Sequence, residues 1–323
     1  MTVAMLLGSV VVLVLAAELF TNAVEWLGHR LKLSDGAVGS ILAAVGTALP
    51  ETLIPLVAII GGGAGSHTIG VGAILGAPFM LSTLALFLSG MATLAFRGVR
   101  HAQLTADATT VRRDLGWFLA MFSSLLLGTA VPPGWPRGVL AAGLLAGYAL
   151  YVRQTMGGPA QDHPDLRRLY LGGYRPRMSI IAIQLVVALT VLVLAAHFFV
   201  GAVKEVAILW NVPLLALSLL IVPIATELPE KVNSVLWIRR GKDTLALGNI
   251  TGAMVFQAAI PGAVGLLLTD WALEPLSWLT AAFALCSAAL VCFWLTVSRR
   301  LPAAALLPGG AFYVAYAGVV VLT

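Results

Sequence analysis

The chain has 323 residues, of which 60% are hydrophobic and only 10% are charged, and its mean hydropathy is +0.98. A soluble globular domain contains about 25% charged residues, so this composition excludes an ordinary water-soluble protein. The net charge of +5 alone would suggest an acidic partner such as nucleic acid, but the basic residues cluster between apolar segments.

Ten apolar segments are each long enough to cross a bilayer, which takes about 20 residues of helix. Because lipid offers no partner to a peptide group, they predict an all-α integral membrane protein with ten transmembrane helices. The first lacks the basic leading region of a signal peptide and is predicted to remain as a span. The ten predicted spans are residues 3–28, 36–60, 68–95, 114–131, 136–156, 178–208, 212–238, 244–268, 275–297 and 301–322.

The basic residues predict the orientation. With the N-terminus outside, 16 of the 19 Lys and Arg residues fall in cytoplasmic loops, whereas the outer loops hold Arg137 with the acids Asp270 and Glu274. Such asymmetry is the positive-inside signature. It predicts a multi-pass protein of the inner or plasma membrane with both termini outside, and no nucleic-acid partner.

An internal repeat divides the chain. Residues 12–51 align with residues 191–230 without a gap, and 14 of the 40 positions are identical, including VLVLAA and a Thr-x-Leu-Pro-Glu run. After a shift of three residues, GVGAILGA (70–77) pairs with ALGNITGA (246–253). Five spans separate the copies, and an odd number makes them cross the membrane in opposite directions. Inverted repeats of this kind are typical of secondary transporters.

The repeat predicts the domain organisation. We expect two five-helix repeats, each with its own motif region, joined by a cytoplasmic linker whose charges are solvated. The first repeat covers 1–156 with its motif at 36–90, the linker covers 157–177, and the second repeat covers 178–323 with its motif at 212–268.

Two acids occupy equivalent positions in the two copies. Glu51 lies in the middle of the predicted second span and Glu230 in the middle of the seventh. An ionised carboxylate at a helix centre costs about 2.5–3.5 kcal/mol on insertion, so intramembrane acids predict function. The alternative is a structural pair neutralised by Lys204 or Lys231.

A proline precedes each acid directly. Because proline has no N–H, each leaves the carbonyl four residues earlier without a helical donor, at Gly46 and Ala225. Threonines lie one turn before the acids on the same face, at Thr47 and Thr226. Each copy therefore directs a carboxylate, a hydroxyl and a free carbonyl at one point.

These groups are all oxygen ligands, which hard cations prefer. Ca²⁺ takes about six to eight oxygen ligands, and Na⁺ shares its hardness. The pattern predicts a cation site with Glu51 and Glu230 as the metal ligands. It requires no cofactor besides the transported cations, which are Ca²⁺, Na⁺ or H⁺.

The segment GNITGAMVFQ, residues 248–257, places Asn249 and Gln257 on one helical stripe. It also contains a G-x-x-x-G pair that ends at Gly252, and the first copy has another that ends at Gly76. Small residues at this spacing let helix backbones approach closely, so we interpret both pairs as packing sites.

These motifs resemble those of the cation/calcium exchanger superfamily, which includes the sodium/calcium exchangers. Its signature is two inverted repeats, each with a G-T-S-x-P-E-like stretch and then a G-S-N-x-x-N/D-like stretch. GTALPE (46–51) and ATELPE (225–230) match the first element, and GAPFML (76–81) and GAMVFQ (252–257) occupy the second. The resemblance covers nearly the whole chain.

The resemblance implies the roles of the site residues. Glu51 and Glu230 would be the central cation ligands, and Thr47 and Thr226 would contribute oxygens. Exchange would proceed by alternating access as the first and sixth spans slide past the others. The partners would be small inorganic cations and the lipid bilayer, with the choice between monomer and homodimer open.

Departures from the signature leave the driving ion open. Ala48 and Glu227 replace its Ser, and the later Asn/Asp positions hold Leu81 and Gln257. Two acids as close as Glu227 and Glu230 disfavour each other's ionisation, so one of them is hypothesised to carry a proton during the transport cycle. Gln257 points the same way, because the proton-coupled branch often has an uncharged residue there. Both Glu227 and Gln257 are expected to bind cations.

Other polar residues in the spans allow two interpretations. They either line the ion pathway, or they lie at the membrane interface and in packing contacts. The pathway candidates are Glu18, Asn22, His197 and Asn249. Lys231 is expected to snorkel or to pair with an acid on another helix.

Two other classes of function remain to be weighed. An intramembrane enzyme would need a catalytic motif, and the sequence has no H-E-x-x-H or G-x-S-x-G spacing. A channel, or a cation-binding protein without exchange activity, stays open because the second motifs are weakened.

Overall fold

In the computed structural model the protein is almost entirely helical. The described residues are 2–30, 40–41, 44–63, 65–96, 103–104, 106–156, 167–211, 219, 223, 227–239, 241–298 and 300–322. The helices are α1 (Thr2–Arg30), α2 (Ala44–Thr47), α3 (Leu49–Gly61), α4 (Ser66–Met80), α5 (Leu86–Ala95), α6 (Ala108–Leu127), α7 (Trp135–Met156), α8 (Met178–Trp210), α9 (Leu228–Arg239), α10 (Asp243–Leu268), α11 (Pro275–Ser298) and α12 (Pro308–Leu322).

Short elements complete the described chain. A π-helical turn (Leu81–Ala85) joins α4 to α5, and 3₁₀ turns cover Gly128–Ala130 and Ala303–Leu306. Strand β1 (Gln103–Leu104) pairs antiparallel with β2 (Leu301–Pro302). The all-α prediction is confirmed, because β1 and β2, of two residues each, are the only strands among the described residues.

Each predicted span contains a helix, although some boundaries differ. Six described segments are long and apolar enough to cross a membrane. The predicted fourth span, 114–131, starts too late: α6 begins at Ala108, where the Asp107 carboxylate accepts hydrogen bonds from two backbone N–H groups. The predicted tenth span, 301–322, starts too early, because β2 and a 3₁₀ turn precede α12.

The second span is broken at the proline motif. Helix α2 ends at Thr47, Ala48 adopts φ −82° and ψ 9°, and α3 then begins at Leu49 with Pro50 in its first turn. A proline fits the first turn because the N–H there has no helical acceptor. In the second copy, α9 likewise begins at Leu228 with Pro229 in its first turn.

Helices α1 and α8 form a pair that lies outside the rest of the bundle. They pack against each other, and α8 also packs on α3. Their inner faces share an apolar cluster with α3 and α4 that includes Leu13, Ile54 and Phe199. Their outer faces expose large apolar side chains such as Leu15 and Leu194, as expected for helices that contact lipid.

Helix α10 lies at the centre of the remaining helices. It packs against α4, α6, α7 and α9, and also against α2 and α3. Nearly all of its side chains are buried. Helix α10 therefore contacts both of the proline-initiated helices, which carry the two predicted acids.

Two glycines form equivalent contacts across the repeat. A Cβ atom on Gly76 would lie 2.8 Å from the carbonyl oxygen of Leu219, and a Cβ atom on Gly252 would lie 2.7 Å from the carbonyl carbon of Ser40. Ser40 and Leu219 are equivalent positions in the gap-free alignment of the copies. The packing interpretation is thus confirmed for Gly76 and Gly252, and each of these glycines contacts backbone of the other copy.

Candidate cation-binding site

Glu51 is the third residue of α3 and is 3% exposed. Helix α3 packs against α4, α8 and α10, so its acid lies inside the protein rather than against lipid. The first turn of a helix has unsatisfied N–H groups and a partial positive charge, which favours an ionised carboxylate. The break in the second span therefore places the buried Glu51 carboxylate at the positive end of a helix.

The other predicted ligands are described in part. Glu230 is the third residue of α9, the position that Glu51 has in α3. Gly46 and Thr47 are the last two residues of α2, which contacts α9 directly. The description of Glu230 and Thr47 covers their helical positions, and Ala225 and Thr226 lie outside the described residues. Their ligand roles stay predictions.

Gln257 brings an uncompensated polar group into this region. It lies in the middle of α10 and is 1% exposed, and its Oε1 and Nε2 atoms find no hydrogen-bond partner among the described residues. An unsatisfied buried polar group costs about 1–3 kcal/mol. A ligand that the Oε1 atom could contact would recover part of that cost.

Glu227 and Lys231 form an ion pair at the start of α9. Lys231 Nζ lies 3.1 Å from Glu227 Oε2, Glu227 is fully buried, and Lys231 is 7% exposed. The prediction that Lys231 snorkels or pairs with another helix is wrong. Because α9 begins at Leu228, the side chains at 227 and 231 are one turn apart and meet.

Two pathway candidates on α1, Glu18 and Asn22, form hydrogen bonds with the segment that precedes α8. Glu18 accepts a hydrogen bond from the Tyr170 hydroxyl at 2.9 Å, and burial together with this bond raises the pKa of Tyr170. Asn22 is buried, accepts from Gln184 Nε2 at 3.0 Å and donates to the Arg168 carbonyl at 3.3 Å. The pathway role of both stays a prediction.

The remaining pathway candidates are in different environments. His197 is exposed on α8 beside Phe198, whereas Asn249 is fully buried in α10. Lys204, also on α8, donates to the Ser66 hydroxyl at 2.7 Å, at the start of α4. The structure thus places Asn249 in the helix that carries Gln257, and His197 elsewhere.

A buried acid in α6 was missed by the sequence analysis. Asp114 is fully buried, lies 2.8 Å from Arg113 and accepts hydrogen bonds at 2.9 Å from the hydroxyls of Ser40 and Thr251. It therefore joins α6, the second span and α10 near the Gly252 contact. The available signal was an acid at the start of an apolar helix, beside two arginines.

The fold and the arrangement of its polar groups define a class of protein: a multi-pass membrane transporter made of two inverted repeats. The sequence profile of a family described as "Sodium/calcium exchanger protein" matches residues 1–154 and 180–323. The chain belongs to the sodium/calcium exchanger family. Its members are transporters, so the chain is not an enzyme.

Two relatives are distant in sequence but align with most of the chain. The inner membrane protein YrbG of Escherichia coli (strain K12) is 23% identical over 284 residues, which are 85% of this chain and 82% of that protein. The putative antiporter CaxA of Alkalimonas amylolytica is 24% identical over 285 residues, with coverages of 84% and 82%.

Solved structures share the fold. The sodium-calcium exchanger NCX_Mj gives a TM-score of 0.68 at 19% identity, with 98% of this chain and 97% of that chain covered. An H⁺/Ca²⁺ exchanger, CAX, gives a TM-score of 0.78 at 14% identity, with coverages of 99% and 86%. At such identities the likeness concerns the fold, and it confirms the ten-helix architecture.

Proposed function

We propose that the chain is a secondary active antiporter that exchanges Ca²⁺, or a similar hard divalent cation, for Na⁺ or H⁺. The observation that carries this proposal is Glu51, a buried carboxylate at the start of a proline-initiated half-helix packed against α10. Discontinuous helices whose ends and free carbonyls meet an ion are typical of secondary transporters.

The proposed site combines the two acids with neutral oxygen ligands. Glu51 and Glu230 bind the metal, Thr47 and Thr226 supply hydroxyls, and Gly46 and Ala225 supply carbonyls. Helix α10 completes it with Gln257, whose amide oxygen has no other partner among the described residues. Hard divalent cations prefer such all-oxygen sites.

The proposed cycle is alternating access in a cell membrane with both chain termini outside. Helices α1 and α8 contact each other closely and share an apolar interface with α3 and α4. Apolar contacts are non-directional, so this interface suits a sliding pair. The positive-inside distribution of Lys and Arg supports the orientation.

For the identity of the driving ion there is one alternative, in which exchange is coupled to H⁺ without Na⁺. Gln257 favours it, because an uncharged amide stands where an acidic ligand could hold an additional Na⁺. An imposed Na⁺ gradient and an imposed pH gradient separate the two versions.

The test is Ca²⁺ uptake into proteoliposomes that contain the full chain. We expect Ca²⁺ to accumulate against its gradient when an outward Na⁺ or H⁺ gradient is imposed, and the accumulation to collapse with the ionophore for that ion. Glu51→Gln is the matched inactive control. Downhill Ca²⁺ flux that is independent of the Na⁺ and H⁺ gradients would identify a channel. The absence of any Ca²⁺ flux would identify a protein without exchange activity.

A further inference from the structure

The second copy of the repeat carries an acid and a base that the first copy lacks. In the gap-free alignment, Glu227 and Lys231 correspond to Ala48 and Thr52. The Thr52 hydroxyl donates to the Ala48 carbonyl at 3.0 Å, so this turn of the first copy is neutral. The same turn of the second copy holds an ammonium and a carboxylate 3.1 Å apart.

Both members of this ion pair are withdrawn from water, since Glu227 is fully buried and Lys231 is 7% exposed. Removing two charges from water costs about as much as their attraction returns, and an apolar pair of similar volume is often as stable. A contribution to folding stability is therefore a weak explanation for the presence of this ion pair. Its position gives a better one, because its members flank Glu230 in the chain.

Resting on the proposed function, we propose that Lys231 acts as a fixed monovalent cation of the transport site and sets the net charge moved per cycle. Glu51, Glu227 and Glu230 together bring three negative charges. Lys231 reduces that sum to two. Because uncompensated charge is costly within a membrane, such a site is filled by one divalent cation or by two monovalent cations, and the exchange is electroneutral.

Three other charged groups of the described spans have polar partners away from this ion pair. Arg113 and Asp114 form their own neutral pair between α6 and α10. Lys204 donates to Ser66 at the turn between α3 and α4. Tyr313 lies within electrostatic range of Glu227, and its phenol is neutral at physiological pH.

The experiment measures Ca²⁺ accumulation by the full chain in proteoliposomes whose potential is clamped at zero or inside-positive. The wild type is expected to reach the same accumulation ratio at both potentials. Lys231→Gln leaves three negative charges, so three monovalent cations exchange for one Ca²⁺. One net positive charge then leaves per cycle as Ca²⁺ enters, so about 100 mV inside-positive raises the ratio by about 50-fold, or about 2.3 kcal/mol per charge.

Two variants separate charge from local structure. Lys231→Arg keeps the positive charge and is expected to behave like the wild type. The double variant Glu227→Gln/Lys231→Gln again has two negative charges and is expected to lose the dependence on potential. If Lys231→Gln fails to fold, Lys231→Met supplies the uncharged single variant, and a wild type that follows the potential still overturns the inference.

A wild type whose accumulation ratio follows the potential overturns the inference, as does a double variant that follows it as strongly as Lys231→Gln. Failure of the proposed function looks different. In that case the wild type shows no gradient-driven Ca²⁺ accumulation at any potential, and the inference falls with it.

Discussion

In the first copy of the repeat, α3 begins at Leu49 and has its acid, Glu51, in the third position. The neutral residues Ala48 and Thr52 lie on either side of this acid in the chain. In the second copy, α9 has the same start and the same position for its acid. There the flanking positions form a buried ion pair. The two regions thus share a backbone arrangement and differ in charge.

The backbone arrangement that the two copies share follows from the proline and from the position of the helix terminus. A proline in the first turn fixes where the helix starts, and that start places the third residue at the positive end of the helix dipole. The flanking positions are free of this constraint. Because the copies have opposite orientations in the membrane, an ion pair present in one of them makes the charge of a symmetric scaffold asymmetric.

The acids that both copies share give the largest expected effect. Glu51→Gln keeps the size of the side chain and removes the carboxylate to which the proposed function assigns the cation, so we expect at least about a 100-fold loss of Ca²⁺ exchange. Glu230→Gln should lose as much, because the proposed site takes one carboxylate from each copy. The measurement is gradient-driven Ca²⁺ uptake per amount of folded protein, with Glu274→Gln, at an exposed position directly before α11, as the control.

Retention of exchange by one of these two variants would show that the two copies do not contribute equivalent acids to the site. It would restrict the site to the other copy. Retention by both would remove the carboxylates from the mechanism and with them the proposed function.

The glycine contacts test whether the two copies also share their packing. Gly252→Ala and Gly76→Ala each force a methyl group against backbone of the other copy. Overpacking of this kind costs about 1–3 kcal/mol, so both should lower the thermal midpoint of the purified protein. Gly116→Ala in α6 is the matched control, since open space surrounds that position. Equal midpoints for all three would contradict the contacts.

The sequence predicted the features that repeat or that follow from chain chemistry. The inverted copies and the glycine contacts come from residue patterns whose backbone consequences are fixed, whereas the break at Ala48 interrupts a span that was predicted as continuous, 36–60. The partner of Lys231 and the Asp114 contacts were not predicted. The first depends on α9 starting at Leu228, and the second joins three segments that are distant in the chain, so neither follows from local spacing.

Gln257 tests a second difference between the copies, because Leu81 occupies the equivalent position in the first. Gln257→Leu removes a buried amide that has no partner among the described residues. We expect unchanged or higher thermal stability without Ca²⁺, and an apparent Ca²⁺ affinity lower by about fivefold, the value of about 1 kcal/mol for one lost contact. Lower stability with unchanged affinity would show that Gln257 has a structural role.

The smallest expected effect concerns how equivalent helices begin. Helix α11 of the second copy starts at Pro275, whereas α6 of the first copy starts after Asp107, whose carboxylate accepts from the N–H groups of Thr109 and Thr110. Burial alone would raise the pKa of Asp107, but these hydrogen bonds outweigh it and lower the pKa below 3.8. Asp107→Ala should reduce the free energy of unfolding by about 1 kcal/mol at neutral pH.

The pH dependence of that difference follows from the sign of the shift. A carboxylate with a lowered pKa stabilises the folded state at pH values above its ordinary pKa, and this contribution is lost as the pH falls through the lowered value. The gap between the wild type and Asp107→Ala, measured by thermal unfolding in detergent, should therefore be constant from neutral pH to about pH 5 and narrow below 3.8. Asp107→Asn caps the helix nearly as well and does not titrate, so it should stay close to the wild type at neutral pH. A gap that widens on acidification would mean that the Asp107 carboxylate is not the group that caps α6.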